Sequence, residues 1–202
     1  MNMKILANDG IDAVGKKILE QSGFTVITEK VPQDHLAAEI NAKGYKALTV
    51  RSATKVRQEL IDACPGLKVI ARGGVGMDNI DVDYARSKGI AVINTPAASS
   101  NSVAELVLAH AFSVARFLYD SNRHMPGEGN TKFEELKKKY SRGTELRGKT
   151  FGIIGIGRIG QAVARMALGL GMRVVCHDPF VKEAVVRIPI EGATPVDVAL
   201  KS

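Results

Sequence analysis

Gly155-Ile156-Gly157-Arg158-Ile159-Gly160 reads G-x-G-x-x-G, a spacing with a definite chemical use. In such a loop the first glycine makes a tight turn and the second lets the backbone approach a pyrophosphate. The third lets the following helix pack closely on the preceding strand. The helix N-terminus then offers unpaired amide N–H groups to phosphate oxygens. The hexapeptide alone is a weak signal, because glycines cluster in many turns. Here an apolar run, Phe151-Gly152-Ile153-Ile154, precedes it and an apolar-faced helical stretch follows. A second strand, Arg173-Val174-Val175-Cys176-His177, ends in Asp178 about twenty residues further on. A carboxylate at Asp178 would accept hydrogen bonds from ribose hydroxyls and repel a 2′-phosphate, so the pattern predicts NAD rather than NADP. The plainer alternative is a glycine turn followed by an aspartate that caps a helix.

In open α/β sheets, ligands bind beyond the carboxyl ends of the strands, so the residues that follow each predicted strand are the next candidates. They are Asn8-Asp9-Gly10, Arg51-Ser52, Arg72-Gly73-Gly74-Val75-Gly76 and Asn94-Thr95-Pro96. Arg51 carries a planar fork suited to phosphate or carboxylate. The glycines of Gly73–Gly76 could present bare amides to an anion. Singly, a strand-end arginine is as well explained by a surface ion pair, and a glycine loop by a turn. Their convergence on one rim favours a site for a small anionic ligand.

The remaining nucleophilic and titratable candidates point elsewhere. Cys64 and Cys176, the two cysteines, are too few for a disulfide framework and have no metal-like neighbours, so no metal is expected. His35, His110, His124 and His177 are expected in core or surface roles, with His177 facing the other side of its strand from Asp178.

These residues need a scaffold that alternates strands and helices. Strand-like runs at Lys4–Ala7, Phe24–Ile27, Ala47–Val50, Leu67–Ala71 and Ile90–Ile93 are separated by helical stretches over Asp12–Gln21, Gln33–Lys43, Val56–Ala63 and Val82–Lys88. That order predicts a mostly parallel, doubly wound α/β sheet. The texture changes near Pro96–Ser102, which divides the chain into a first domain over 1–98 and a second over 99–202. In the second, Ser102 and Glu105 stand at capping-box spacing, and Val103–Tyr119 reads as one long, mostly apolar helix. A polar arm over Asp120–Lys149 follows, then the glycine-loop unit. The segment from Phe180 to Ser202 contains Pro189 and Pro195 and ends in what reads as an unfinished helix. With only two clear strands, the second domain is expected to leave a sheet edge and apolar helix faces uncovered.

The formal charge of +7 admits anionic partners, but the basic residues are scattered. Lys137-Lys138-Lys139 follows Glu134 and Glu135 at a spacing that predicts i,i+4 ion pairs (Glu134 to Lys138, Glu135 to Lys139) on a solvated helix face. A small anion or dinucleotide explains the excess better than nucleic acid. No apolar run approaches the roughly 20 residues that span a bilayer. The start of the chain lacks a signal-peptide core, so neither a membrane partner nor export is expected, and a cytoplasmic location fits.

Several segments in one order resemble the D-2-hydroxyacid dehydrogenases: Val50–Val56, Ala71–Asp81, Asn94-Thr95-Pro96, Ser102–Leu106, the glycine loop and Glu145–Thr150. The first two are most similar to the 3-phosphoglycerate dehydrogenase branch of that family. The likeness runs from about Lys4 to Pro179. It implies a flavodoxin-like substrate domain followed by an incomplete Rossmann cofactor domain, with the ligand between them. It implies that Arg51 and Ser52 face a substrate phosphate and that the Gly73-Gly74 loop faces its carboxylate. Val75, Arg158 and Ile159 would contact NAD beside Gly155, Gly157, Gly160 and Asp178. It also implies a homodimer formed through the long helix and the arm. Three departures stand out. Ser99 occupies a place where the family often has asparagine, and the arm lacks a tryptophan near Phe133. The family's catalytic arginine, glutamate and histidine would fall beyond Ser202, so this chain alone is expected not to turn over. The implied reaction is oxidation of 3-phosphoglycerate by NAD, a step of serine biosynthesis. Glyoxylate, hydroxypyruvate and D-lactate remain alternative substrates. A non-catalytic NAD-binding interaction protein is the alternative of a different class.

Overall fold

A computed structural model describes residues 3–189 and 194–202. The chain divides into two compact units, Met1–Ala98 and Ser99–Ser202.

In the first unit the strands are β1 (Lys4–Ala7), β2 (Thr25–Ile27), β3 (Ala47–Val50), β4 (Val69–Arg72) and β5 (Ala91–Asn94). They pair in parallel in the order β2-β1-β3-β4-β5, the flavodoxin-like order with its switch between β1 and β3. Four helices make the crossovers: α1 (Ala13–Gln21), α2 (Leu36–Lys43), α3 (Gln58–Ala63) and α4 (Val82–Ser87). Asp12 caps α1 by accepting from the Val14 amide, and α2 ends on Gly44 in the left-handed conformation. Alternate strand residues point to opposite faces. Leu6, Leu48 and Ile70 meet Leu36 and Ile40 of α2, Leu60 and Ile61 of α3 and Ala85 of α4. Ile5, Ala7 and Ala47 form the smaller opposite cluster, against which Leu19 of α1 packs. The short runs of mostly apolar residues are what a sheet buried on both faces requires.

The second unit departs from the sequence expectations in three places. The apolar helix α5 (Ser100–Ala115) stops early, because Phe117 takes a positive φ of 54°, which a helix cannot continue. The polar arm is helical over Leu118–Tyr140 as α6 despite Pro126, with a break at Lys132, but its ion pairs are not those expected. Asp120 and Lys139 form an ion pair of 2.6 Å, whereas a straight helix would hold them about 28 Å apart, so the element turns back on itself. Lys139 is therefore drawn to Asp120 rather than to Glu135, and Glu134 meets Lys137 at 3.6 Å instead of Lys138. The third departure is the end of the chain. It is an antiparallel hairpin of β8 (Glu183–Ile188) and β9 (Val196–Lys201), not a helix. Its period is two: Ala184, Val186 and Leu200 are buried while Glu183, Val185 and Arg187 are exposed. A two-pronged Arg187–Asp197 ion pair joins the strands across the hairpin.

Between them lie β6 (Thr150–Ile154), α7 (Arg158–Gly169) and β7 (Arg173–His177), a parallel βαβ unit. α5 packs on α7, with Ala104 and Leu108 against Ala162, Val163 and Ala164. The other sheet face is open: Ile154 is 91% and Val175 57% exposed. No single helix among the described residues is long and apolar enough to cross a membrane. Leu48, fully buried in the central strand β3, is expected to cost about 2–5 kcal/mol when replaced by alanine. Urea denaturation of Leu48→Ala checks this, and a loss below about 1 kcal/mol would contradict the core assignment.

Candidate functional site

Two clusters of candidate residues are assembled, one in each unit. In the second unit the glycine loop joins β6 to α7. Gly155 has a φ of 93°, open to glycine but strained for other residues, and its amide donates to the His177 carbonyl at 2.7 Å. The β6–β7 ladder thus runs on into the loop. A Cβ at Gly160 would collide with the Gly155 carbonyl oxygen, so only glycine lets α7 start this close to the strand. A Cβ at Gly157 would meet nothing within 4 Å. Gly157 is the N-cap of α7 and no side chain caps the helix, so the amides of Arg158, Ile159 and Gly160 face outward without an intrahelical partner. Arg158 and Ile159 are both exposed.

Asp178 closes this corner. One of its carboxylate oxygens accepts from the amides of Phe180 (2.8 Å) and Val181 (2.9 Å), and the other from the Ile156 amide within the loop (2.8 Å). The amides of Phe180, Val181 and Ile156 hold its pKa below the ordinary carboxylate value. A carboxylate has roughly four acceptor positions, so three bonds leave about one for another donor. The bracing of the glycine loop by Asp178 goes beyond both uses its spacing suggests, a ribose contact or a helix cap.

In the first unit, Arg51, Ser52, Gly73, Gly74 and Val75 stand on one rim, beyond β3 and β4. Arg51 borders two adjoining cavities. One, of about 560 Å³, is lined by Asp9, Ile11, Asp12, Thr49 and Gly73. The other, of about 460 Å³, is lined by Asn8, Thr28, Lys30, Ser52 and Ala53. Gly73 lies against the stem of Arg51, where a Cβ would sit 3.6 Å from Cγ. The four-amide cradle expected over Gly73–Gly76 is only partly available. The Gly73 amide donates to the Val50 carbonyl at 2.9 Å and the Gly74 amide to the Arg72 carbonyl at 3.0 Å. Any anion there would have to use Val75 and Gly76.

Arg72, which the sequence offers only as a strand-end residue, turns away from a simple rim position. Its guanidinium folds over Gly74, whose φ of 152° and missing side chain make the room. Its buried Nε has no hydrogen-bond partner among the described residues. Asp9 was named only as a strand-end residue, yet it makes four contacts. It accepts from the Arg51 amide (2.8 Å), the Thr54 amide (2.9 Å), the Thr54 hydroxyl (2.7 Å) and Lys30 (3.4 Å). Burial pushes its pKa up, but the bonds from Thr54, Arg51 and Lys30 outweigh burial and leave it below the ordinary carboxylate value.

The sequence model described as "D-isomer specific 2-hydroxyacid dehydrogenase, catalytic domain" matches residues 5–195. The chain belongs to this family. It is 40% identical over 183 residues to D-3-phosphoglycerate dehydrogenase of Methanocaldococcus jannaschii, covering 91% of this chain and 33% of that protein. It is also 40% identical over 189 residues to hydroxypyruvate reductase of Thermotoga maritima, covering 93% of this chain and 58% of that protein. The crystal structure of NAD+-bound 3-phosphoglycerate dehydrogenase of Entamoeba histolytica aligns with a TM-score of 0.68 at 30% identity. It covers 90% of this chain and 55% of that one. The chain thus spans between a third and three-fifths of the length of these relatives.

Two outcomes follow from the site geometry. Gly160→Ala is expected to lower the stability of the second unit by about 1–3 kcal/mol, since helix and strand must part; unchanged thermal unfolding would contradict the close contact. The second outcome concerns Asp9. Its folded pKa is depressed, so its contribution to stability is complete above the unfolded value of about 3.9 and is lost as pH falls through the lower folded value. The difference in unfolding free energy between wild type and Asp9→Asn should therefore hold steady above about pH 5 and shrink below about pH 4. A difference that persists undiminished to about pH 2 would refute the role given to these bonds.

Proposed function

We propose that this chain binds NAD at Gly155–Gly160 and Asp178 and a phosphorylated D-2-hydroxyacid, 3-phosphoglycerate, at Arg51 and Ser52. The whole enzyme would oxidise the hydroxyl carbon of that acid, and NAD would take up the hydride. The observation that carries the reading is the glycine corner: a helix N-terminus left uncapped, held tight to its strand by Gly160 and braced by a strand-end carboxylate.

Each residue has a role in that reading. The amides of Arg158, Ile159 and Gly160 donate to the pyrophosphate, and the helix dipole adds to their attraction. Gly157 leaves open the space the phosphates need. Asp178 offers its remaining acceptor position to a ribose hydroxyl and repels a 2′-phosphate. Arg51 and Lys30 bring two positive charges to one cavity, where Ser52 adds a hydroxyl, a set suited to a phosphate. Val75 and Gly76 supply amides for the substrate carboxylate, with Val75 also reaching the cofactor. The hydroxyl proton needs a base, and none of the described residues is assigned that role. The exposed side of α5 and the α6 segment, with Leu106 57% and Val114 78% exposed, is proposed as the contact of a homodimer. Cytoplasmic serine biosynthesis is the setting such an activity would serve.

Calorimetric titration tests the cofactor site. Wild type is expected to give saturable heat with NAD and little with NADP. Gly157→Val is expected to keep its unfolding temperature, because nothing lies within 4 Å of the added Cβ, yet to lose NAD binding. Equal NAD affinity in Gly157→Val and wild type would refute the site. Similarity to a hydroxypyruvate reductase supports a second reading, an unphosphorylated substrate. Arg51→Ala should weaken 3-phosphoglycerate much more than hydroxypyruvate if the phosphate reading holds, and both alike if it does not.

A further inference from the structure

The segment Arg51–Thr54 carries no regular secondary structure, yet its backbone is tied from two distant places, the end of β1 and the loop before α4. The Asp9 carboxylate, beyond β1, accepts from the amides at both ends of the segment, Arg51 at 2.8 Å and Thr54 at 2.9 Å, and from the Thr54 hydroxyl. From the opposite direction, the Asn79 side-chain amide donates to the Arg51 carbonyl at 2.8 Å and to the Thr54 carbonyl at 2.6 Å. Asn8, 2% exposed, donates to the Thr54 hydroxyl at 2.9 Å, and Thr54 itself is 3% exposed. The two residues between the tied ends, Ser52 and Ala53, make no hydrogen bond among the described residues and are exposed with Arg51 at the cavity.

We infer that Asp9 and Asn79 are positioning residues: they clamp the backbone of Arg51–Thr54 so that Arg51 and Ser52 meet the substrate's anionic group without prior rearrangement. This rests on the reading that the Arg51 cavity takes the substrate phosphate. The physical argument is preorganisation. An arginine on an untethered loop must be ordered at the moment of binding, and that ordering subtracts from affinity. Asp9 is well suited because its charge is spent on donors of the loop: its side chain is 4% exposed and also meets Lys30. Asn79 complements it as a donor on the carbonyl side. Together they satisfy the N–H and C=O groups at the two ends of the segment, groups that no sheet ladder reaches.

The sign of one substitution separates this role from simple electrostatics. Asp9 borders both cavities, so removing its negative charge should by Coulomb's law strengthen the binding of an anion. The clamp requires the reverse. Asp9→Asn keeps the size of the side chain but leaves a single acceptor oxygen, so either the two backbone amides or the Thr54 hydroxyl and Lys30 must face an NH2 group. It is expected to weaken 3-phosphoglycerate by about tenfold or more. Asn79→Ala, which changes no charge, should do the same and stands in if Asp9→Asn folds poorly. Hydrogen exchange on the free proteins should show faster exchange at the Arg51 and Thr54 amides in both variants, with Leu48 and Ile70 in the sheet still protected.

Asp9→Asn binding 3-phosphoglycerate as tightly as wild type or more tightly would overturn the inference, as would unchanged exchange in the loop. Arg51→Ala distinguishes the failure of the clamp from failure of the substrate reading. If wild type does not take up 3-phosphoglycerate, or Arg51→Ala binds it undiminished, the substrate assignment falls and the exchange data alone decide the clamp.

Discussion

A parallel sheet brings the carboxyl ends of its strands to one rim, where the ladder stops and backbone N–H groups lose their partners. Everything functional in this chain depends on how those groups are satisfied. Both units solve the problem with an aspartate at a strand end. Asp9, after β1, gathers the Arg51 and Thr54 amides. Asp178, after β7, gathers the Ile156, Phe180 and Val181 amides. In each case three or more hydrogen bonds favour the ionised form, and the pKa falls accordingly. A carboxylate accepts several donors at once from different directions, so a single side chain can fix a loop that has no ladder of its own.

Much of the scaffold was legible because period and punctuation agree. Four-residue, mostly apolar strands, helices closed by Gly44 or a turn, and short crossovers leave few alternatives to a doubly wound sheet. The glycine loop was legible for a stricter reason. Gly160 stands where any side chain would strike the Gly155 carbonyl, so steric necessity wrote the motif into the sequence. What stayed hidden depends on contacts between residues far apart in the chain. Nothing local shows that Phe117 would take a positive φ and end α5, or that Lys139 would reach back to Asp120. The hairpin after Phe180 is hidden because Pro189 and Pro195 stand just outside its two strands, and the short run Val196–Lys201 taken alone fits a helix as well as an edge strand.

The candidate site divides along the same line. Residue types mark Arg51 and Asp178 as binding candidates, since a guanidinium fork or a carboxylate at a strand end has an evident use. Spacing could not show that Gly73 and Gly74 spend their amides on Val50 and Arg72, or that Arg72 folds over Gly74. Nor could it show the clamp on Arg51–Thr54, whose bonds from Asp9 and Asn79 join residues up to 45 positions apart. Residues that touch a ligand tend to advertise their chemistry, whereas residues that hold others in place are recognised only by what they touch.

One consequence concerns speed rather than strength. The glycine corner is continuous with the β6–β7 ladder through Gly155 and pinned from the far strand through Ile156. These bonds hold the shape of the corner without a contribution from any ligand. Capture at such a corner is governed by diffusion and orientation of the incoming molecule, and release by how many contacts must break together.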